Sequence, residues 1–128
     1  MALKLNLKEN EKIVIGGAVI RNGSRHIELY VENNVPILRQ KDIMTEQEVN
    51  TPARRIYFAI QLMYIDADNM ITHQGALTDR ITEIVEAAPS TRPYLLTIAE
   101  YVADGKLYQA LKAARQLIDY EKELLAHA

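Results

Sequence analysis

The sequence predicts an α+β fold: a small N-terminal antiparallel β module followed by a helical C-terminal part. Two observations carry this. The hydrophobic period is two up to about Ile43 and helical beyond it. Turn-forming pairs crowd the first third of the chain, whereas helix-start signals occupy the remainder.

In the first part Leu3, Leu5 and Leu7 alternate with Lys4, Asn6 and Lys8. Ile13 and Ile15 follow, and Ile27, Leu29 and Val31 alternate with His26, Glu28, Tyr30 and Glu32. Such alternation marks half-buried strands. The strands are separated by Glu9-Asn10, Gly16-Gly17, Asn22-Gly23 and Asn33-Asn34. Asn-Gly tolerates positive φ, so Asn22-Gly23 is expected to be a tight hairpin turn. Four or five short strands result, ending with "VPILR".

The polar junction "KDIMTEQEVNTPARR", from Lys41 to Arg55, carries two helix starts. Thr45 with Glu48 fits a capping box, and Thr51 precedes a first-turn proline, Pro52. The helix from Pro52 to about Ile65 is apolar nearly all round, through Ile56, Phe58, Ile60, Leu62, Met63 and Ile65. Its burial requires either its own bundle or a second subunit. A second helix is expected over about Thr72 to Ala87, with Leu77, Ile81, Ile84 and Val85 on one face. "PSTRP" starts a third, from about Arg92 to Ala103. Gly105 suits a stop before a fourth, about Lys106 to Ala126, striped by Leu107, Leu111, Ala114, Ile118 and Leu125. Two modules follow, residues 1–44 and 45–128.

The 128 residues carry a formal net charge of -2, so whole-chain charge predicts no nucleic-acid affinity. The total hides an asymmetry. Residues 1–44 hold seven Lys/Arg against five Asp/Glu, and residues 45–128 hold eight against twelve. With no cysteine, disulfides, thiolate nucleophiles and Cys-based zinc sites are excluded, which suits a reducing cytoplasm. The start "MALKLNLKENEK" lacks the apolar core of a signal peptide, and no stretch is long enough to span a membrane. Cytoplasmic location without membrane contact is expected.

His26, His73 and His127 are scattered, the glycine pairs lack a phosphate-loop pattern, and no serine nucleophile motif appears. Asp66 and Asp68 lack the rest of a calcium loop and read as a solvated turn. No enzyme, metal or cofactor is expected. What remains is a binding surface. Lys4 and Lys8 lie on the polar side of the first strand, Arg21 and Arg25 flank the Asn-Gly turn, and Arg39 and Lys41 close the strand region. Such cations can meet phosphates, and arginine can also read or stack on exposed bases. The same charges also suit strand edges protected against addition. Arg54 and Arg55 oppose the helix dipole in a first turn, so they need an acidic neighbour or a partner. Asp42, Glu46 and Glu48 are near in sequence. The tyrosines on the helices suit core rims with hydroxyls at the surface.

The runs "EKIVIGGAVIRNG" and "ENNVPILRQKDIMTEQEVNTPARRIYFAIQLMYID" resemble the FlbT family of flagellum biosynthesis repressors of alphaproteobacteria. The match covers residue 3 to about 66, with the unusual words in order. Asn is frequent in that family where this chain has Gly16. The resemblance implies a post-transcriptional repressor that binds the 5′ untranslated region of flagellin mRNA and promotes its decay until assembly has progressed.

"LKLNLKENEKIVIG" followed by "PILRQKDI" is also similar, more weakly, to the carbon storage regulator (CsrA) family. Those β proteins form intertwined dimers that bind mRNA leaders through the first strand and a late arginine. That similarity places Arg39 at the late arginine and Lys4 and Lys8 on or beside the first strand. The basic pair after the first strand is Leu7-Lys8 here, and Leu38 replaces a histidine, so part of the contact is missing. Together the resemblances imply RNA binding through Lys4, Lys8, Arg21, Arg25, Arg39, Lys41, Arg54 and Arg55, in a homodimer. The alternative is a flagellar adaptor whose helical part contacts flagellin or another assembly factor.

Overall fold

The computed structural model describes residues 2–127. Five strands come first: β1 (Leu3–Leu7), β2 (Lys12–Ile15), β3 (Ala18–Arg21), β4 (Ile27–Val31) and β5 (Ile37–Arg39). Four helices follow: α1 (Pro52–Ile65), α2 (Met70–Ala87), α3 (Arg92–Ala103) and α4 (Leu107–Ala126). The architecture is α+β. The chain divides into two compact units, Met1–Ile43 and Met44–Ala128.

In the β unit the strands form two antiparallel sheets. β1 pairs with β4, setting Leu5 opposite Leu29 and Leu7 opposite Ile27. β2 pairs with β3 on one side and β5 on the other. Gly16 and Gly17 join β2 to β3 with φ of 57° and 90°. That double left-handed step is what a two-residue hairpin with the right twist requires. Leu5, Leu7 and Ile13 form the core, and Ile15, Ile27, Leu29, Val31 and Ile37 pack against them. Alternation places most of this face correctly, but Leu3 stays half exposed. Val14, between Ile13 and Ile15, is also buried.

Asn22-Gly23 is not a hairpin turn. β3 and β4 belong to different sheets, and Gly23 does not take a positive φ. The Asn22 side chain is buried instead. Its Nδ2 donates to the carbonyls of Leu7 (3.3 Å), Lys8 (3.0 Å) and Arg25 (2.8 Å). Its Oδ1 accepts from the Ser24 backbone N–H at 3.2 Å. The side chain that would have served a local turn thus ties the end of β1 to the β3–β4 loop.

In the helical unit the two expected caps are present. Thr45 and Glu48 close a capping box on a single 3₁₀ turn, and the Thr51 hydroxyl accepts from the Arg54 N–H at 3.2 Å at the start of α1. α1 packs against α2 and α4, and α3 against α4. The apolar girth of α1 is therefore buried in its own bundle. Tyr57 and Gln61 are buried on it, while Phe58, Leu62 and Ile65 are half-buried. Tyr57 is thus a core residue rather than a rim one. Gln61 forms a two-way hydrogen bond with Met44, accepting from its N–H at 2.7 Å and donating to its carbonyl at 2.9 Å. A buried amide is tolerated there because its oxygen and its nitrogen each have a partner.

Gly105, with φ of 74°, ends the α3 turn. On α4 the buried stripe is Ala110, Leu111, Ala114, Leu117 and Ile118, whereas Leu125 is 64% exposed. The expected stripe therefore fails at its C-terminal end. None of the described helices is long and apolar enough to cross a membrane.

Candidate functional site

The β unit has an open cleft of about 750 Å³ at the β1–β2 turn and the end of β5. It forms for local reasons. Asn10 takes a left-handed φ of 64°, which asparagine tolerates better than most residues. The turn closes by a hydrogen bond from the Glu11 N–H to the Lys8 carbonyl at 3.1 Å. Antiparallel pairing of β2 with β5 puts Ile13 opposite Arg39. Two residues back from Ile13, Glu11 lies on the same side of the sheet edge as the Arg39 side chain.

The cleft brings together Lys8, Arg39 and Lys41 of the expected cations, and adds His26. Arg39 Nη2 donates to the Asn6 carbonyl at 2.6 Å and lies 3.4 Å from Glu11 Oε2. Arginine carries five N–H donors, so these contacts leave much of the fork for a ligand. Gln40 Oε1 accepts from the Lys12 N–H at 2.6 Å, fixing the start of the chain leaving β5.

The other expected residues lie elsewhere. Lys4 pairs with Glu28 across the β1–β4 ladder at 3.2 Å. Arg21 donates to Asn10 Oδ1 at 3.0 Å and so borders the cleft through that wall residue. Arg25 is exposed in the β3–β4 loop. Arg54 and Arg55 belong to the helical unit. Arg54 Nη1 reaches the Glu48 carbonyl (3.4 Å) and Asn50 Oδ1 (3.3 Å), while Arg55 is exposed. The acidic neighbour that the first turn of α1 needs comes from α4: Glu121 Oε2 accepts from the Ala53 N–H at 2.9 Å.

Sequence reasoning missed Glu11, Asn6, Asn10 and Gln40. The word "EKI" does hold Glu11, but its role depends on the β2–β5 register, which spacing alone does not show. The Lys8 backbone N–H, and after it the Arg39 guanidinium, hold the Glu11 carboxyl below the usual range. It therefore stays anionic and competes with any incoming phosphate for Arg39.

Two carboxylates of the helical unit behave alike. The Thr45 N–H and hydroxyl lower Glu48, and His73 and Asn69 lower Asp66. Asp66 Oδ2 lies 2.9 Å from His73 Nε2, so the turn at Asp66 is anchored rather than simply solvated. All three folded values lie below the unfolded ones. Each group then contributes stability that is complete above the ordinary carboxylate pKa and is lost as pH falls through the lowered one. Thermal melts should show this contribution intact down to about pH 5 and eroding below about pH 4. Glu48→Gln should remove part of that acid dependence. Among the described residues no group of three His, Cys, Asp or Glu could hold a metal ion.

The cleft thus sets Lys8, Arg39 and Lys41 beside the carboxylates of Glu9 and Glu11 and the amides of Asn6, Asn10 and Gln40. Comparison with known proteins gives this a context. The FlbT family profile, described as "Flagellar protein FlbT", matches residues 3–125. A "Probable flagellum biosynthesis repressor protein FlbT 1" of Bradyrhizobium diazoefficiens is 45% identical over 97% of this chain and 85% of its own length. The corresponding "Probable" protein of Caulobacter sp. (strain K31) is 40% identical over 99% of this chain and 98% of its own. The "Flagellum biosynthesis repressor protein FlbT" of Caulobacter vibrioides (strain ATCC 19089) is 39% identical, covering 99% and 92%. No solved structure matches the chain at a significant level. The likeness extends through the helical region, well past the words that first carried it, and the chain belongs to the FlbT family.

Proposed function

We propose that this chain is a post-transcriptional repressor of flagellin synthesis. It binds the 5′ untranslated region of flagellin mRNA in the cytoplasm, lowers translation and promotes degradation of the message, and so couples flagellin supply to flagellum assembly. The convergence of Lys8, Arg39 and Lys41 on one open cleft carries the reading, in a chain whose relatives are named as flagellum biosynthesis repressors. Single-stranded leaders present phosphates and unstacked base edges together, and this cleft pairs cations with Asn6, Asn10 and Gln40. The role is one of binding, with no catalytic step and no cofactor.

The proposal includes a homodimer. All four residues of the edge strand β3 are exposed, with Val19 at 68%, and such an edge accepts another chain unless protected. Two clefts on one particle would bind two RNA segments with avidity.

Two neighbouring substitutions with opposite signs test the cleft. Arg39→Ala should weaken leader binding by about 1–3 kcal/mol if the fork reads a base. Glu11→Gln keeps an acceptor for the Lys8 N–H but removes the competing charge. It should tighten binding, roughly threefold to tenfold at low salt. Normal binding by both folded variants, measured by fluorescence anisotropy, would place the RNA elsewhere.

A further inference from the structure

We propose that the helical unit carries a second, separate site: a groove that takes one amphipathic helix with basic flanks, supplied by a protein partner. The groove has a volume of about 580 Å³ and lies where α1 begins and α2 and α4 end. Ile84, Ala87, Leu117, Leu124 and Leu125 are among the apolar residues that line it. Leu124 is 36% exposed and Leu125 is 64% exposed, two adjacent leucines with the final turn of α4 still open to water. A volume of this size lies within the range of about 300–1,000 Å³ seen for ligand pockets. A few apolar anchors at helical spacing would fill it, the manner in which grooves take amphipathic helices.

Charge selects the flanks. The ionisable residues lining the groove are Glu83 and Glu121, with no lysine or arginine among them. Arg80 pairs with Glu83 at 3.0 Å but does not line the groove. α2 and α4 both end here with no basic residue in the last turn, so neither negative helix end is met by a Lys or Arg of its own last turn. The positive start of α1 is offset by Glu121, which accepts from the Ala53 N–H. The rim is therefore net acidic and complements Lys or Arg on an incoming helix. The same charge argues against a second copy. A two-fold contact would set one acidic rim against its equal, which is repulsive. The site does not depend on the RNA reading.

The full chain is titrated with synthetic peptides of about four helical turns. One carries leucines at i, i+3 and i+7 with lysine flanks, and the other has the same leucines with glutamate flanks. The lysine peptide should bind at least about tenfold more tightly than the glutamate peptide, as expected where like charges face each other. Amide NMR shifts should centre on residues 50–53, 83–91 and 117–125. Leu125→Gln, which removes the apolar contact without adding charge, should weaken the lysine peptide about tenfold or more. The helical circular dichroism should hold, because Leu125 is mostly exposed. Leader RNA binding by that variant should be unchanged, which separates this site from the cleft. Equal binding of the two peptides, shifts outside the groove, or no binding would overturn the proposal. So would a concentration-dependent dimer of the free chain that Leu125→Gln abolishes, because the occupant would then be a second copy.

Discussion

Replacing Asn22 with Asp should unfold the β unit. The side chain is 5% exposed, and its amide donates to three carbonyls from two segments. A carboxylate there would face those carbonyls with no proton to give, or would have to be protonated at a cost. Burying an unpaired charge, and leaving carbonyls unsatisfied, should together cost at least about 3 kcal/mol. A unit of about forty residues has little stability to lose, since its buried fraction is small. Amide NMR should show collapsed dispersion for β1 to β5. Asn22→Ala should cost less, about 1–3 kcal/mol, because it removes donors without adding charge. Native dispersion in the Asp variant would mean that the amide does not hold the loop.

The second large effect concerns RNA. Changing Lys8, Arg39 and Lys41 together to Ala should abolish specific leader binding and lower the salt slope by about 2, given about 0.7 per contact for single strands. Changing Arg54 and Arg55 together should do less, because Arg54 is already held by Glu48 and Asn50 in the helical unit. If the Arg54/Arg55 pair proves the more damaging, the assignment to the β cleft is wrong. Fold is checked alongside by the amide dispersion, since Arg39 also ties β5 to the Asn6 carbonyl.

Helix boundaries were legible in the sequence where covalent geometry sets them. Thr51-Pro52 started α1, "PSTRP" started α3, and Gly105 stopped it, because a proline ring or a left-handed residue acts within a turn of itself. Burial at the helix ends was less legible. Leu125 continues the heptad-like spacing of α4 but lies beyond the helices that cover Leu117 and Ile118, so periodicity placed it inside and the bundle left it out. The Asn-Gly pair misled for a related reason. Its local propensity was real, but the three carbonyls that captured Asn22 are brought together only by the tertiary fold. The division of the strands into two sheets was likewise invisible, since period-two patterning sets which face is buried and not which strands are neighbours.

The candidate site was half legible. Lys8, Arg39 and Lys41 were named as separate cations, and their shared cleft follows from the β1–β2 turn and the β2–β5 register. Glu11 has no sequence signal that marks it as part of the site. Its importance lies in competing for Arg39, a property of geometry at 3.4 Å rather than of residue type. The acidic partner for the first turn of α1 was sought nearby at Asp42, Glu46 and Glu48. It is also supplied by Glu121, from the far end of the chain.

The most direct measurement is the affinity of the purified full chain for a flagellin leader RNA against a shuffled RNA of equal length and composition, across a salt series. Both RNAs should show a salt-dependent, phosphate-driven term with similar slopes. The leader should stay tighter at every salt concentration, by at least about tenfold, because base contacts rather than phosphates carry sequence preference. Equal affinity for the two RNAs, or no binding even at low salt, would contradict direct recognition of the message by this protein.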